Sequence, residues 1–236
     1  MSDSIVIPRR FRGPDNSGNG GYTAGLLAAQ LPPGSVTEIT LRMPPPLDVP
    51  LALTASGDTA RLDRDGNVVA EAKTAGTEPT VLPPVSPAAA QDAMTHFAGY
   101  REHPFVYCYT CGTARADGDG LRIFPGPIDA DTVAATWTPQ QSQLDSSAVA
   151  TVVAALDCPG GWAAITALGR AMVLGRITVR IDELPRAGET YVIAGAHLGT
   201  EGRKSRVAST LFDADGRVLA TTEHVWITVD ATAFNR

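Results

Sequence analysis

The chain has 236 residues, of which 44% are hydrophobic and 6% aromatic, and its formal net charge is −6 at pH 7. This length fits one large domain or two small ones, with a mostly aliphatic core. The acidic balance and the lack of a long basic run argue against nucleic acid and against an anionic membrane surface as partners. No stretch of about 18 apolar residues runs uninterrupted, so no membrane span is expected.

The N-terminus and the cysteines indicate a compartment. The first ten residues have no long apolar run after their charges, so no signal peptide is expected. Three cysteines cannot all pair within one chain, which favours a reducing environment. We therefore expect a cytoplasmic protein.

The first third of the chain predicts a helix followed by a β-meander. A short strand over residues 4–11 precedes a Gly-rich loop, and Asn19 is placed to cap a helix that Pro32 stops. Alternation of apolar and polar residues then predicts strands over residues 36–43, 51–56, 59–62 and 68–74. An Asp-Gly turn joins the last two.

The middle of the chain divides two units. Residues 76–92 are rich in Pro and Ala, so we predict an N-terminal unit over residues 1–76, a linker over 77–104 and a C-terminal unit over 105–236. In the second unit, Ser146 or Ser147 can cap a helix that Pro159 and the glycines after it break or kink. The predicted strands of this unit are residues 121–124, 132–138, 173–181, 190–198, 204–212 and 218–229.

Two pieces of sequence occur twice in the same order. Residues 39–43 (ITLRM) are echoed by residues 177–181 (ITVRI), and residues 65–70 (DGNVVA) by residues 215–220 (DGRVLA). A repeat of this kind indicates a fold of two related units. Each unit has a nearly all-apolar helix, which needs cover on every side, and a curved antiparallel sheet supplies that cover.

Several short motifs resemble a known family. The second unit resembles the thioesterase-like branch of the hotdog superfamily, through residues 108–112 (CYTCG), 120–124 (GLRIF), 155–157 (ALD), 202–204 (GRK) and 215–216 (DG). The first unit is similar through residues 19–22 (NGGY), which match the His-Gly-Gly or Asn-Gly-Gly signature at the start of the family's central helix. The resemblance implies an α+β double hotdog: two antiparallel sheets, separate or continuous, each wrapped round a central helix.

The resemblance also implies partners. The expected ligand is an acyl-CoA or a related thioester. No dinucleotide fingerprint or phosphate-binding Gly loop is present, so no cofactor is expected. A homo-oligomer, in the form of a dimer, is expected because paired hotdogs commonly associate again and exposed sheet edges favour it.

The two units differ where the chemistry would lie. The family takes an oxyanion donor from N–H groups at the Gly-Gly helix start, and a carboxylate from the equivalent helix of the partner unit. Nine residues after Asn19 stands Ala28, and nine before Asp157 stands Ala148. The first unit therefore has Gly20-Gly21 but no acid, and the second has an acid but no Gly pair. Because paired hotdog helices lie antiparallel, we predict one complete site and one dead site.

The resemblance assigns roles to these residues. Asp157 would act as base or nucleophile, the N–H of Gly20 or Gly21 would polarise the carbonyl, and Asn19 would shape the helix start. The structural alternative is that the glycines only permit close backbone approach and that Asp157 caps the segment after the helix. Burying an Asp after a mostly apolar run is costly without a purpose, which favours the functional interpretation.

Five further residues are candidates. In some relatives a Ser or Thr near Thr178 orients the water, although a Thr in a strand is ordinary. Tyr22 and Trp162 are candidates to line an acyl tunnel, and core packing explains them equally well. Arg203 and Lys204 resemble the pair that meets coenzyme A phosphates, or they are solvated charges beside a turn.

The cysteines raise the question of a metal. Cys108 and Cys111 have the spacing of half a zinc site, and His103 lies nearby in sequence. Cys158 stands alone and no second pair exists. Two partly buried thiols at a strand start are the favoured interpretation, so no metal is expected.

The leading function is hydrolysis of an acyl-CoA or related thioester. Its rival is a non-catalytic acyl-CoA or lipid-binding protein of the same fold, and a third interpretation is a structural partner of another enzyme. A hotdog hydratase is disfavoured because none of the four His residues forms the Asp–His pair that those enzymes use.

Overall fold

One continuous sheet and two central helices dominate the structure, a computed structural model that describes residues 3–145 and 147–233. The helices are α1 (Gly20–Ala28), α2 (Pro87–Met94), α3 (Gln141–Leu144) and α4 (Ala148–Leu168). The strands are β1 (Asp3–Val6), β2 (Thr37–Leu41), β3 (Pro50–Ser56), β4 (Thr59–Arg64), β5 (Asn67–Thr74), β6 (Gly126–Pro127), β7 (Thr132–Trp137), β8 (Met172–Ile181), β9 (Tyr191–Glu201), β10 (Lys204–Phe212) and β11 (Val218–Thr228).

The sheet contains the same arrangement twice. Its order is β1-β3-β4-β5-β2-β8-β11-β10-β9-β7-β6, with antiparallel pairing throughout. In the first half, α1 connects β1 to β2, and in the second half α4 connects β7 to β8. The halves therefore have one topology, and the two expected sheets are continuous.

The repeated residues lie on the symmetry axis of the molecule. Antiparallel pairing of β2 with β8 sets Ile39 opposite Ile177, and these are equivalent positions of the repeated segments. An antiparallel pair of identical strands has a local twofold axis between its central residues. The two copies of the repeated segment are thus related by a pseudo-twofold axis, which lies between β2 and β8 where the halves join.

The second central helix is longer than the sequence suggests. The predicted break at Pro159 was wrong, because α4 continues unbroken to Leu168. Pro159 has no N–H to donate, but the N–H of Gly160 donates to Oγ of Ser209 at 2.9 Å. Gly195 of β9 packs so closely on Pro159 that a Cβ would overlap the backbone there. Packing of α4 against the sheet therefore outweighs the tendency of the Pro-Gly-Gly sequence to end a helix.

Burial identifies α4 as a core helix. Within the described residues it is the one helix long and apolar enough to cross a membrane, and 83% of its most apolar stretch is buried inside the protein. Of the two candidate caps, Ser147 stands at its N-cap without a side-chain capping bond, and Ser146 lies outside the described residues.

Two further segments have a defined backbone, one in the predicted second unit and one in the predicted linker. The strand predicted over residues 121–124 was wrong: no regular structure forms there, and Arg122 has a φ of 54°, which an extended strand excludes. Within residues 77–104, Ser86 caps α2 by accepting from the N–H of Ala89. The division into two units at a linker stays a prediction.

Candidate functional site

The two central helices cross in antiparallel contact through glycines. A Cβ at Gly21 would overlap Cβ of Asp157, and a Cβ at Gly25 would overlap Cα of Ala150. Residue numbers rise along α1 as they fall along α4, so the helices run in opposite directions. The absence of side chains at these two positions lets the helices approach closely enough for backbone and carboxylate to meet.

The start of α1 presents backbone donors. Asn19 caps the helix, with its Oδ1 accepting from the N–H of Tyr22 at 2.8 Å. The N–H of Gly21 donates to Oδ2 of Asp157 at 2.9 Å. Among the described residues, none supplies an acceptor to the N–H of Gly20. One amide at the positive end of the helix dipole is therefore free for a ligand.

Asp157 is buried in the middle of α4. Its side chain is only 2% exposed, and its Oδ1 has no hydrogen-bond partner among the described residues. Burial raises the pKa of Asp157 to about 8, the hydrogen bond from Gly21 opposes this, and the nearby Cys108 adds to it. A buried carboxyl oxygen without a partner is costly in a core, and is typical of a functional site.

A cavity of about 190 Å³ lies against this contact. Its apolar lining residues include Leu41, Met43, Phe105, Ile165, Met172, Val173, Leu174, Trp226 and Ile227. Its polar lining residues include Ser17, Asn19, Arg42, His103 and Asp157. Gly20 and Trp162 also line it, and both units contribute residues.

The cysteines form a cluster at the cavity. The expectation of two partly buried thiols at a strand start was wrong, since Cys108 and Cys111 are fully buried in an irregular loop. Cys158 is not alone either, because the three Sγ atoms all lie within 4.8 Å of one another. Hydrogen bonds from the other two thiols lower the pKa of Cys108, and burial raises the pKa of Cys111.

Two of the sequence candidates lie away from the cavity. Thr178 is on β8 between Ile177 and Val179, which face the core, so alternation turns Thr178 to the opposite face of the sheet. Tyr22 is buried in an aromatic cluster and stacks on Phe11 with ring centroids 3.9 Å apart. Neither lines the cavity, so their assignment to water positioning and to an acyl tunnel is corrected.

Three further candidates have defined positions. Trp162 lines the cavity, and its Nε1 donates to Sγ of Cys111 at 3.2 Å. Arg203 is exposed and donates to the carbonyl oxygen of Thr228 at 2.9 Å. Lys204 is exposed opposite Ile227, which lines the cavity. The basic pair therefore lies at the sheet end that contributes to the cavity wall.

The sequence interpretation missed several cavity residues. Cys158 directly follows Asp157, so the neighbouring position in the chain was the signal that could have placed it there. His103 also lines the cavity, and burial lowers its pKa. The sequence does not show which residues of β8 line the cavity, because Leu174 has the same apolar pattern as any buried strand residue.

Comparisons with known proteins establish the fold. No protein-family model matches the chain, and no curated protein matches it. A solved hotdog-fold protein from Alicyclobacillus acidocaldarius is 14% identical with a TM-score of 0.66, covering 96% of this chain and 92% of that one. A proposed thioesterase from Novosphingobium aromaticivorans DSM 12444 is 17% identical with a TM-score of 0.63, covering 96% and 95%. A tesB protein of Mycobacterium avium subs paratuberculosis is 15% identical with a TM-score of 0.57, covering 95% and 91%.

The class of protein follows from this likeness. The whole chain is a hotdog-fold protein, of the double hotdog arrangement that the repeated topology defines. The expected α+β fold with two helix-in-sheet units is confirmed.

Proposed function

We propose that this protein hydrolyses an acyl-CoA or a related thioester at one composite site between its two units. The observation that carries the proposal is the hydrogen bond from the N–H of Gly21 to Asp157, at the wall of a mostly apolar cavity. It brings a helix start from one unit and a carboxyl group from the other against the same space. The solved proteins of similar fold include a proposed thioesterase, which agrees with this chemistry.

The first step needs a donor for the carbonyl oxygen. Gly21 is occupied by Asp157, whereas Gly20 lines the cavity with its N–H free of described acceptors. The N–H of Gly20 would therefore hold the thioester carbonyl and stabilise the negative charge that develops on its oxygen. The dipole of α1 adds to this effect because Gly20 is the first residue of the helix.

The second step needs a base. Oδ2 of Asp157 is fixed by Gly21, which leaves Oδ1 as the proposed base. It takes a proton from water in its ionised form, which predominates above the raised pKa of about 8, so activity is expected to rise with pH through this range. The water oxygen then bonds to the carbonyl carbon, the carbon–sulfur bond breaks, and the proton passes to the leaving thiolate. The products are one carboxylic acid and one thiol.

Cavity size favours a small acyl group. An apolar cavity of about 150 Å³ holds a benzene molecule, so a space of 190 Å³ fits a short chain or a single ring. The side chains of Met172, Leu174 and Trp226 would contact it. The exposed Arg203 and Lys204 are offered as contacts for the coenzyme A phosphates. We also propose a dimer in the cytoplasm, as expected from the sequence.

The test is a panel of acyl-CoA substrates. Acetyl-, butyryl-, hexanoyl-, benzoyl- and palmitoyl-CoA are incubated with the wild type and with Asp157→Asn, and free CoA is measured chromatographically. We expect turnover of the short and single-ring esters, and a loss of at least about 100-fold in the variant. Saturable binding without turnover would instead identify a non-catalytic acyl-CoA binder.

A further inference from the structure

The three buried cysteines have the spacing of a metal site. Their Sγ atoms lie within 4.8 Å of one another, and those of Cys108 and Cys158 are 3.7 Å apart. A tetrahedral zinc site with Zn–S bonds of about 2.3 Å has sulfur–sulfur separations of about 3.8 Å. The cluster therefore needs only small side-chain adjustments to hold one ion.

N–H groups converge on two of these sulfur atoms. One of these sulfur atoms is that of Cys108, and the other is that of Cys111. Nδ2 of Asn19 donates to the sulfur of Cys108 at 3.6 Å, and Nε1 of Trp162 donates to the sulfur of Cys111 at 3.2 Å. Donors of this kind stabilise sulfur in its anionic form, and the groups around metal-bound thiolates have the same arrangement.

We propose that Cys108, Cys111 and Cys158 bind one Zn²⁺ ion through three thiolates, with the fourth position open to the cavity. All three residues line that cavity, so water can reach the fourth position. Three protein ligands with one open position are the arrangement of reactive zinc sites, whereas closed sites have four. A divalent cation also offsets the charge of buried thiolates, which would be costly alone.

His103 is not the fourth ligand. Its Nδ1 accepts from the N–H of Phe105 at 3.0 Å, which leaves Nε2 protonated and in contact with the carbonyl oxygen of Cys111 at 3.1 Å. Both ring nitrogens are therefore engaged. Because its ring nitrogens are engaged, His103 is near the cluster but is not a proposed ligand. A variant at His103 is therefore a matched control for zinc binding.

The experiment uses the full-length chain, reduced and stripped of metal, then mixed with Zn²⁺ and desalted. Elemental analysis is expected to find about one Zn per chain. Replacing zinc with Co²⁺ is expected to give a near-ultraviolet sulfur-to-cobalt charge-transfer band and the visible bands of a tetrahedral ion. This spectrum is recorded on the wild type, so it tests metal binding by sulfur even where a cysteine substitution prevents folding.

Variants then assign the ligands. Cys108→Ser, Cys111→Ser and Cys158→Ser are each expected to lower retained zinc at least about tenfold, while His103→Gln retains it. The proposal is overturned if the reduced wild type retains no zinc, if no sulfur-to-cobalt band appears, or if all three cysteine variants retain zinc as the wild type does. Zinc content is measured without substrate, so this result is independent of thioester hydrolysis.

Discussion

The N–H of Gly21 lies 2.9 Å from Oδ2 of Asp157, so the helix start of one unit holds the carboxyl group of the other. This contact uses the Gly21 amide and leaves the neighbouring Gly20 amide for a ligand. The two glycines thus have separate tasks: one positions the acid, and the other is offered as the donor to a carbonyl oxygen.

Gly20→Pro is expected to remove the proposed donor while keeping the helix. Gly20 is the first helical residue, where proline is well tolerated, and Asn19 before it has the extended backbone that a following proline requires. Loss of one oxyanion donor typically lowers kcat by about 100-fold to 1,000-fold. Steady-state kinetics on the best substrate of the panel measures this.

Gly20→Ala is the matched control. It keeps the N–H and adds the same Cβ atom that proline has, 2.9 Å from Cβ of Leu174, so the two variants share this close contact and differ in the N–H. We expect it to retain most of the activity that Gly20→Pro loses. Equal activity in the proline variant and the wild type would show that the Gly20 amide is not the donor.

Asp157→Asn is expected to lower kcat by about 100-fold to 10,000-fold, because an amide cannot take a proton from water at neutral pH. Its oxygen can still accept from Gly21, so circular dichroism and the melting temperature should show an intact fold. Thr178→Val serves as the control, since Thr178 lies on the opposite face of the sheet, and its kcat should stay within about twofold of wild type. Full activity in the Asn variant would exclude Asp157 as base.

Gly25→Ala is expected to destabilise the fold by about 1–3 kcal/mol, because the new methyl group overlaps the backbone of Ala150 and forces the central helices apart. Urea unfolding at constant pH measures the change. Gly76→Ala is the control: no atom lies within 4 Å of its added Cβ, so its free energy of unfolding should change by less than about 0.5 kcal/mol. Equal stability of the two variants would contradict the tight helix crossing.

His224 is expected to make the fold acid-sensitive. Burial lowers its pKa from 6.5 to about 3 in the folded state, where it lies between Val207 and Ile177 in the sheet register. The unfolded chain therefore takes up a proton first as pH falls below 6.5, and stability is lost from there downward at up to about 1.4 kcal/mol per pH unit.

The measurement is urea unfolding at pH 7.5 and pH 5.0. Between them, wild type should lose about 2 kcal/mol more than His224→Gln, which has no proton to take up. Glutamine can accept from Nε1 of Trp226, as His224 does at 3.2 Å, so the variant keeps that bond. Parallel pH profiles of the two proteins would show that His224 is not the sensitive group.

Much of the fold could be predicted because the repeat is strong. The matching segments around Ile39 and Ile177 form strands that pair with each other, and alternation identified most of the remaining strands. The strand prediction over residues 121–124 was wrong because a short apolar run resembles a strand in sequence. The backbone conformation of Arg122, however, is set by the surrounding loop. The unbroken α4 depends on Ser209, which is too distant in sequence to be anticipated.

The site could be predicted only in part, for a geometric reason. The resemblance to paired hotdogs, whose central helices lie antiparallel, was what allowed Gly21 to be placed opposite Asp157. Predicting the direction of the Thr178 side chain required knowing which residues of β8 face the core. A shift of one residue in that assignment turns Thr178 to the other face of the sheet. The approach of Cys158 to Cys108 required the path of an irregular loop, for which the sequence has no periodic signal.

The unequal halves have a stoichiometric consequence. At the position equivalent to Asp157 the first helix has Ala28, and towards the opposite end of the crossing Gly25 packs directly on Ala150. A symmetrical pair of identical units would offer two ligand sites, one at each end of the helix crossing. Under the proposed function this chain would offer one, so a titration with a non-hydrolysable thioester analogue should saturate at a single equivalent per polypeptide.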